Sequence, residues 1–303
     1  MVNIAVIMST YNGGKYLKTQ IDSILNQKNV DVTLYIRDDG STDNTIQLLK
    51  EYSIKHSNVI VDLGSNLGFA RSFLTELSKA RSHDYYAFSD QDDYWEPLKL
   101  YSAVSMMEKS KNNLVLYYSN LNVTDENLNI FKKTKLEKRN HSLKSVTLRR
   151  SIAGCTMVFS SSLKEHVGKI EIQRIEKGIS HDSILMSLAY GLDADVICDS
   201  EAYISYRQHG NNTSGSSKGL FGRLKKELNF IKVLKHNETN LAGLLLEVYG
   251  SQLNLTQRRT LLRIHASRNN IISRLLIIFD PSFATGVFLL TIHGKIRVFL
   301  GVL

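Results

Sequence analysis

A chain of 303 residues with 43% hydrophobic content and only two cysteines is neither a disordered tract nor a disulfide-built miniprotein, and its length suits one large domain or a domain with an appendage. Its net charge of +9 is unevenly placed, because residues 204–303 hold 14 Lys and Arg against 4 Asp and Glu while the rest is close to neutral. With two prolines and no Gly-rich or Ser-rich tract nothing announces a flexible linker, and no internal repeat is evident.

The first hundred residues alternate β-branched or aromatic runs with helical periodicity, the pattern of a parallel sheet wound with helices. Asn3 to Met8 predicts the first strand. Leu17, Ile21, Ile24 and Leu25 then share one helix face, and Val32 to Arg37 predicts the second strand. After the Asp-Asp-Gly-Ser turn, Ser41 or Asp43 is expected to cap a helix that turns Ile46, Leu49 and Tyr52 inward. Val59 to Val61 predicts strand three. Ala70, Phe73, Leu74 and Leu77 form a third helix face before strand four at Tyr85 to Phe88. Later strands are expected at Leu114 to Tyr118, Thr156 to Phe159 and Val196 to Ile197. With no secretory signal pattern, Cys155 and Cys198 are expected as reduced thiols in a cytosolic protein.

Open α/β sheets bind ligands outside the carboxyl ends of their strands, and polar clusters fall at those ends here. Ser9-Thr10-Tyr11-Asn12 follows strand one, Asp38-Asp39 strand two, Asn66-Leu67-Gly68 strand three and Asp90-Gln91-Asp92-Asp93 strand four. Each alone is ordinary turn chemistry; four in register point to one rim. Ser9-Thr10-Tyr11-Asn12-Gly13-Gly14-Lys15 is neither a P-loop nor a dinucleotide fingerprint, so main-chain cradling of phosphate is not expected. Asp90 and Asp92 instead offer hard oxygen ligands for Mg²⁺ or Mn²⁺, which in turn binds a diphosphate; the bland alternative is a solvated turn.

Met8-Ser9-Thr10-Tyr11-Asn12, Arg37-Asp38-Asp39-Gly40-Ser41-Thr42-Asp43-Asn44-Thr45, Asn66-Leu67-Gly68-Phe69 and Ser89-Asp90-Gln91-Asp92-Asp93 together resemble the inverting family 2 glycosyltransferases of GT-A fold, through about residue 210. The resemblance implies an α/β fold with a mostly parallel central sheet flanked by helices. It also implies a nucleotide site of Thr10, Tyr11, Asn12, Asp39, Asn66 and Asp90, with Asp39 bonding a pyrimidine, and a metal at Asp92. Ile152 to Phe159, Ser180-His181-Asp182 and Tyr206-Arg207-Gln208-His209-Gly210-Asn211-Asn212 look like the rhamnosyltransferase-type branch that builds bacterial capsules and O-antigens. That branch implies dTDP-L-rhamnose as donor, although pyrimidine recognition serves UDP equally. Asp182 is the candidate base for the acceptor hydroxyl, with Ser180 as N-cap; its alternative role is to complement the helix dipole. His209 is a candidate second metal contact or a surface residue. Asp93, Trp95, Gly154, Cys155 and His181 are expected near the acceptor or donor sugar, with Trp95 equally suited to the core and Cys155 a small packed residue without a redox role.

Past residue 210 the resemblance weakens. Leu220, Phe221, Leu224, Leu228, Ile231 and Leu234 form an apolar stripe amid lysines, and Arg258, Arg259, Arg263, Arg268 and Arg274 interleave with Leu and Ile in the same manner. Such basic amphipathic helices suit an anionic membrane surface, where lipid-linked acceptors lie, or packing on the catalytic domain or a second subunit as a homodimer. Phe283 to Leu303 carries His293, Lys295 and Arg297, so no transmembrane segment is expected. A pI near 9.3 permits nucleic-acid binding, but cations alternating with apolar residues argue against it. The expectation is a catalytic domain over 1–215, divided into a nucleotide half (1–100) and an acceptor half (101–215), and a helical extension over 216–303. It is expected to work at the inner face of the cell membrane. A UDP-hexose transferase and a non-catalytic sugar-nucleotide binder are the alternatives.

Overall fold

The computed structural model describes residues 1–149, 152–210 and 236–303. In chain order, the first half holds β1 (Asn3–Thr10), α1 (Leu17–Leu25), β2 (Asp31–Asp38), α2 (Thr45–Lys55), β3 (Val59–Leu63), α3 (Phe69–Lys79), β4 (Tyr85–Ser89), β5 (Tyr94–Trp95), α4 (Lys99–Met107), β6 (Val115–Thr124) and β7 (Ile130–Lys133). Then come α5 (Leu143–Leu148), β8 (Val158–Ser160), α6 (Ser161–Val167), α7 (His181–Gly191) and β9 (Asp195–Arg207). The remainder is α8 (Asn237–Tyr249), α9 (Leu255–Ala266), α10 (Ile271–Phe279) and α11 (Phe288–Phe299). The apolar stripe expected over 220–234, and Asn211 and Asn212, lie outside the described residues.

Two compact units divide the chain: Met1–Leu136 with Ile152–Gln173 and Ala194–His209, and Glu137–Ser151 with Arg174–Asp193 and Gly210–Leu303. All nine strands of the described residues belong to the first, in one sheet of order β3-β2-β1-β4-β8-β6-β9-β5, with β7 paired to the end of β6 outside that order. β3, β2, β1 and β4 are mutually parallel, linked by α1, α2 and α3. β1 lies between two strands under helices, which explains why Ile4, Ala5, Val6, Ile7 and Met8 are all 0% exposed and read as one apolar run. Register pairs Thr10 with Asp38 and Met8 with Ser89, so the carboxyl ends of β1, β2 and β4 meet at one rim.

The second half of this sheet is mixed: β8 runs antiparallel to β4 and β6, and β9 parallel to β6. Three differences from expectation stand out. β9 has 13 residues where two were foreseen, and it reaches Arg207 because irregularities at Ser119, Asn120 and Asn122 of β6 let two long strands stay paired. β5 and β7, of two and four residues, give too little pattern to read. Neither Ser41 nor Asp43 is the cap of α2, since Asn44 holds that position; the Ser41 hydroxyl is taken by Asp38, and Asp43 Oδ1 accepts from Thr45 N–H at 3.0 Å.

The second unit is helical. α7 buries nine of its eleven residues, and Leu241, Leu245 and Tyr249 of α8 and Leu261 and Ile264 of α9 are buried with it. Asn254 and Asn270 cap α9 and α10, accepting from Gln257 N–H at 2.9 Å and Ile272 N–H at 2.9 Å. No described helix is long and apolar enough to cross a membrane.

Candidate active site

The rim of the first unit is built by carboxylates that fold their own loops. Asp38, at the end of β2, accepts from Thr10 Oγ1 (3.1 Å), Ser41 Oγ (2.5 Å), Gly40 N–H (3.1 Å) and Ser41 N–H (2.8 Å). A carboxylate has about four acceptor sites, so Asp38 is saturated and its work is structural. It shapes a turn that requires Gly40 at φ +87, where an added Cβ would also lie 3.3 Å from Asn66 N. Asp39 is also buried, but among the described residues it takes three bonds: from the Arg37 guanidinium, from Leu67 N–H (2.8 Å) and from Gly68 N–H (2.9 Å). Among the described residues one acceptor site on Oδ2 is left over. Asn66 closes the same loop, its Oδ1 accepting from Gly68 N–H at 3.1 Å.

Arg37, only 4% exposed in its side chain, is the hub behind Asp39. It also donates to Ser72 Oγ (3.1 Å) and to the Ser65 carbonyl (2.9 Å), tying the loops after β2 and β3 to α3. The β1 loop is joined in turn. Asn12 N–H donates to Ser41 Oγ and Asn12 Oδ1 accepts from Thr42 N–H, each at 2.8 Å. Tyr11, half exposed at 49%, is held by its main chain: its N–H donates to Gln91 Oε1 (2.9 Å) and its carbonyl accepts from Gln91 Nε2 (3.2 Å). Gln91 thereby fastens the acidic loop after β4 to the loop after β1. It lies inside the acidic motif, where carboxylates alone drew notice; a long amide between two aspartates was the signal available.

In that acidic loop the three aspartates have different fates. Asp92 Oδ2 lies 2.8 Å from His209 Nε2, and its Oδ1 accepts no hydrogen bond from the described residues. The Asp92 carbonyl accepts from Arg207 Nε at 2.8 Å, so the end of β9 braces the loop. Arg207 and His209 lie 4.5 and 4.8 Å from the Tyr16 ring, which positions the imidazole. Asp93 is fully buried, and Arg207 N–H donates to its Oδ1 at 3.2 Å. Burial, with Asp90 and Asp92 nearby, raises its pKa well above the ordinary carboxylate value.

Beneath Asp93 lie Cys155, Lys99 and Trp95, all 0% exposed. Trp95 is therefore a core residue here, the second of the two roles open to it. Lys99 Nζ stands 3.6 Å over its ring and makes no hydrogen bond among the described residues. Burial lowers the Lys99 pKa to about 7. Gly154 and Cys155 are buried in a single 3₁₀ turn.

Ligand atoms of Asp90, Asp93 and Cys155 lie within 4.8 Å of one another. Burial, and the carboxyls of Asp93 and Asp90, push the Cys155 thiol up, so it keeps its proton and is a poor ligand. Hard-cation chemistry favours carboxylate oxygens over that thiol, and Asp92 with the adjacent His209 imidazole is the partly exposed pair on this loop.

In the second unit, Asp182 opens α7. Its Oδ1 accepts from Ser183 N–H (2.7 Å) and from the Ser180 hydroxyl, while no hydrogen bond from the described residues reaches Oδ2. Ser180 is the N-cap by position, but its hydroxyl serves Asp182 and not the helix backbone. Burial lowers the His181 pKa to about 4 against the pull of Asp182, so this imidazole is neutral near pH 7.

The sequence profile described as Glycosyl transferase family 2 matches residues 5–170. The chain is 28% identical over 232 residues to "dTDP-rhamnosyl transferase RfbG" of Shigella flexneri, covering 72% of this chain and 77% of that one. It is 29% identical over 219 residues to the "Putative teichuronic acid biosynthesis glycosyltransferase TuaG" of Bacillus subtilis, covering 70% and 82%. Among solved structures, that of S. aureus TarS 1–349 in complex with UDP superposes with a TM-score of 0.59 at 16% identity, over 98% of this chain and 89% of that one. The mannosyltransferase PcManGT from Pyrobaculum calidifontis in complex with GDP-Man and Mn²⁺ gives 0.55 at 16% identity, over 97% and 86%.

Proposed function

The chain belongs to glycosyl transferase family 2 and is a glycosyltransferase of GT-A fold; from that premise we propose that it transfers a sugar, with inversion, from a pyrimidine nucleotide-sugar to a saccharide acceptor of a bacterial cell-surface polysaccharide. The donor we propose first is dTDP-L-rhamnose, supported by the likeness to RfbG; UDP-sugars are the second choice, supported by the likeness to UDP-bound TarS. The observation that carries the reading is the Gln91 joint, which sets the Asp90–Asp92 loop against the β1 loop. Base-binding and diphosphate-binding groups of one ligand need that adjacency.

In this reading Thr10, Tyr11, Asn12 and Asn66 line the nucleoside. Asp39 accepts the imide N–H of the base with the acceptor site that Arg37 and the β3 loop leave over. Asp90 faces the ribose and diphosphate. Asp92 and His209 hold Mn²⁺ or Mg²⁺, supported by their chemistry and by the Mn²⁺ complex of the mannosyltransferase. When bound, the cation neutralises charge gathering on the departing diphosphate, and a protein general acid is then unnecessary. Asp182 takes the proton of the acceptor hydroxyl through Oδ2, while the Ser183 and Ser180 bonds to Oδ1 fix the carboxylate. Gly154, Cys155 and His181 are assigned to the sugar surroundings on the family resemblance. Residues 1–215 form the catalytic region and 216–303 an extension, and the enzyme works as a peripheral protein on the inner face of the membrane, on a saccharide or lipid-linked acceptor.

The test is a panel of dTDP-L-rhamnose, UDP-glucose, UDP-GlcNAc and GDP-mannose, assayed for thermal stabilisation and donor hydrolysis with Mn²⁺ and with EDTA. A donor at 100 times its Kd is expected to stabilise by about 2.7 kcal/mol, and only with the metal present. Absence of stabilisation and hydrolysis with every donor would overturn the proposal.

A further inference from the structure

Helix α10, of sequence IISRLLIIF, is apolar at seven of nine positions, yet Ile277 is its single buried residue. Ile271, Leu275 and Phe279 recur at four-residue steps beside Ile272 and Leu276, so one continuous stripe lies exposed, with Phe279 78% accessible. Helix α11 repeats the arrangement. Gly294, Arg297 and Val298 are its buried side, while Phe288, Ile292, Ile296 and Phe299 are exposed. An apolar face of this extent on a water-soluble surface marks an interaction site.

The face is held in place. Lys295 Nζ of α11 donates to the Ile278 carbonyl of α10 at 2.7 Å, and Arg274 Nε donates to the Ser267 carbonyl at 2.8 Å. Charge identifies the occupant. Residues 251–303 contain seven Lys and Arg and a single acidic residue, Asp280. That carboxylate is engaged by Lys144 at 3.1 Å and Arg263 at 3.3 Å, which leaves exposed Arg258, Arg259 and Arg268 with no acidic neighbour in this stretch to offset them. A second copy would bring the same positive charge against itself.

We propose that α10 and α11 form a docking face for an anionic lipid bilayer, with the apolar stripe entering the acyl boundary and the arginines meeting lipid phosphates. The inference deepens the peripheral-membrane reading above by naming its surface, and it rests on that reading for the lipid-linked acceptor.

The experiment is flotation of the full chain with vesicles of phosphatidylcholine alone and of equimolar phosphatidylcholine and phosphatidylglycerol. The wild type is expected to float with the anionic vesicles and to be released by salt. Phe279→Glu with Phe288→Glu is expected to lower partitioning at least about tenfold, with the melting midpoint and donor hydrolysis in solution unchanged. Arg258→Gln with Arg259→Gln and Arg268→Gln is expected to remove the preference for anionic lipid. Wild-type protein that stays at the bottom, a glutamate variant that floats equally or unfolds, or a wild-type dimer that the variant dissolves without any vesicle binding would each overturn the proposal. Loss of donor hydrolysis in the wild type would sink the transferase reading and leave flotation untouched.

Discussion

Lys99→Met is expected to stabilise the protein near neutral pH, and the gain should vanish in alkali. Methionine keeps an unbranched apolar stem over the Trp95 ring and removes the ammonium. That ammonium is fully buried, has no hydrogen bond among the described residues and takes its support from the indole face at 3.6 Å. Burial lowers its pKa from 10.5 to about 7. As pH falls through about 10.5 the unfolded chain binds a proton that the folded chain refuses until about 7, so stability drops across that window and is flat below it. At about 1.4 kcal/mol per pH unit, the full loss approaches ~5 kcal/mol, and the variant recovers up to that amount at pH 7. Urea unfolding followed by tryptophan fluorescence is the assay, because Trp95 is the one tryptophan and it touches Lys99. The refuting result is destabilisation by about 3–5 kcal/mol at pH 7, the cost of breaking a buried ion pair. It would mean that Lys99 and Asp93 are held as ammonium and carboxylate.

Asp92→Ala is expected to abolish metal-dependent donor binding in calorimetric titrations, and His209→Ala to weaken it about 10–100-fold, the range for partners that tune a metal site. Asp182→Asn should leave nucleotide affinity within a few-fold and lower kcat by at least about 10²-fold; near-wild-type turnover would remove Asp182 from the base role. Asp39→Ala removes the close carboxylate of buried Arg37, leaving it Asp62 at 3.7 Å, and orphans the Leu67 amide while Gly68 keeps Asn66 Oδ1, so chemical denaturation should show a loss of about 2 kcal/mol even without nucleotide.

The first hundred residues were legible because their strands are short apolar runs and their helices carry clean faces. Leu17, Ile21, Ile24, Leu49, Tyr52, Phe73 and Leu77 are all buried as their spacing demanded. The acidic rim was legible as a collection of loops. The division of labour within it was not, because Asp38 is filled by its own turn and the Thr10 hydroxyl, whereas the bonding of Asp39 depends on amides 28 and 29 residues away. Lys99 escaped notice for a similar reason: a lone lysine between Leu98 and Leu100 carries no sequence mark of burial. β9 exceeded its reading because Asp195, Asp199 and Glu201 interrupt the apolar pattern, and only pairing with β6 sustains the strand. The bareness of α10 is likewise tertiary, since the same sequence would suit a fully enclosed helix.

The Gln91 amide grips residue 11 entirely through peptide atoms, so it is indifferent to what side chain that residue carries. Position 11 is thus a place where the wall of the proposed nucleoside pocket accepts exchange, from tyrosine to phenylalanine or histidine, while the two loops stay latched. Position 91 enjoys no such latitude: shortening it by one methylene would unlatch both.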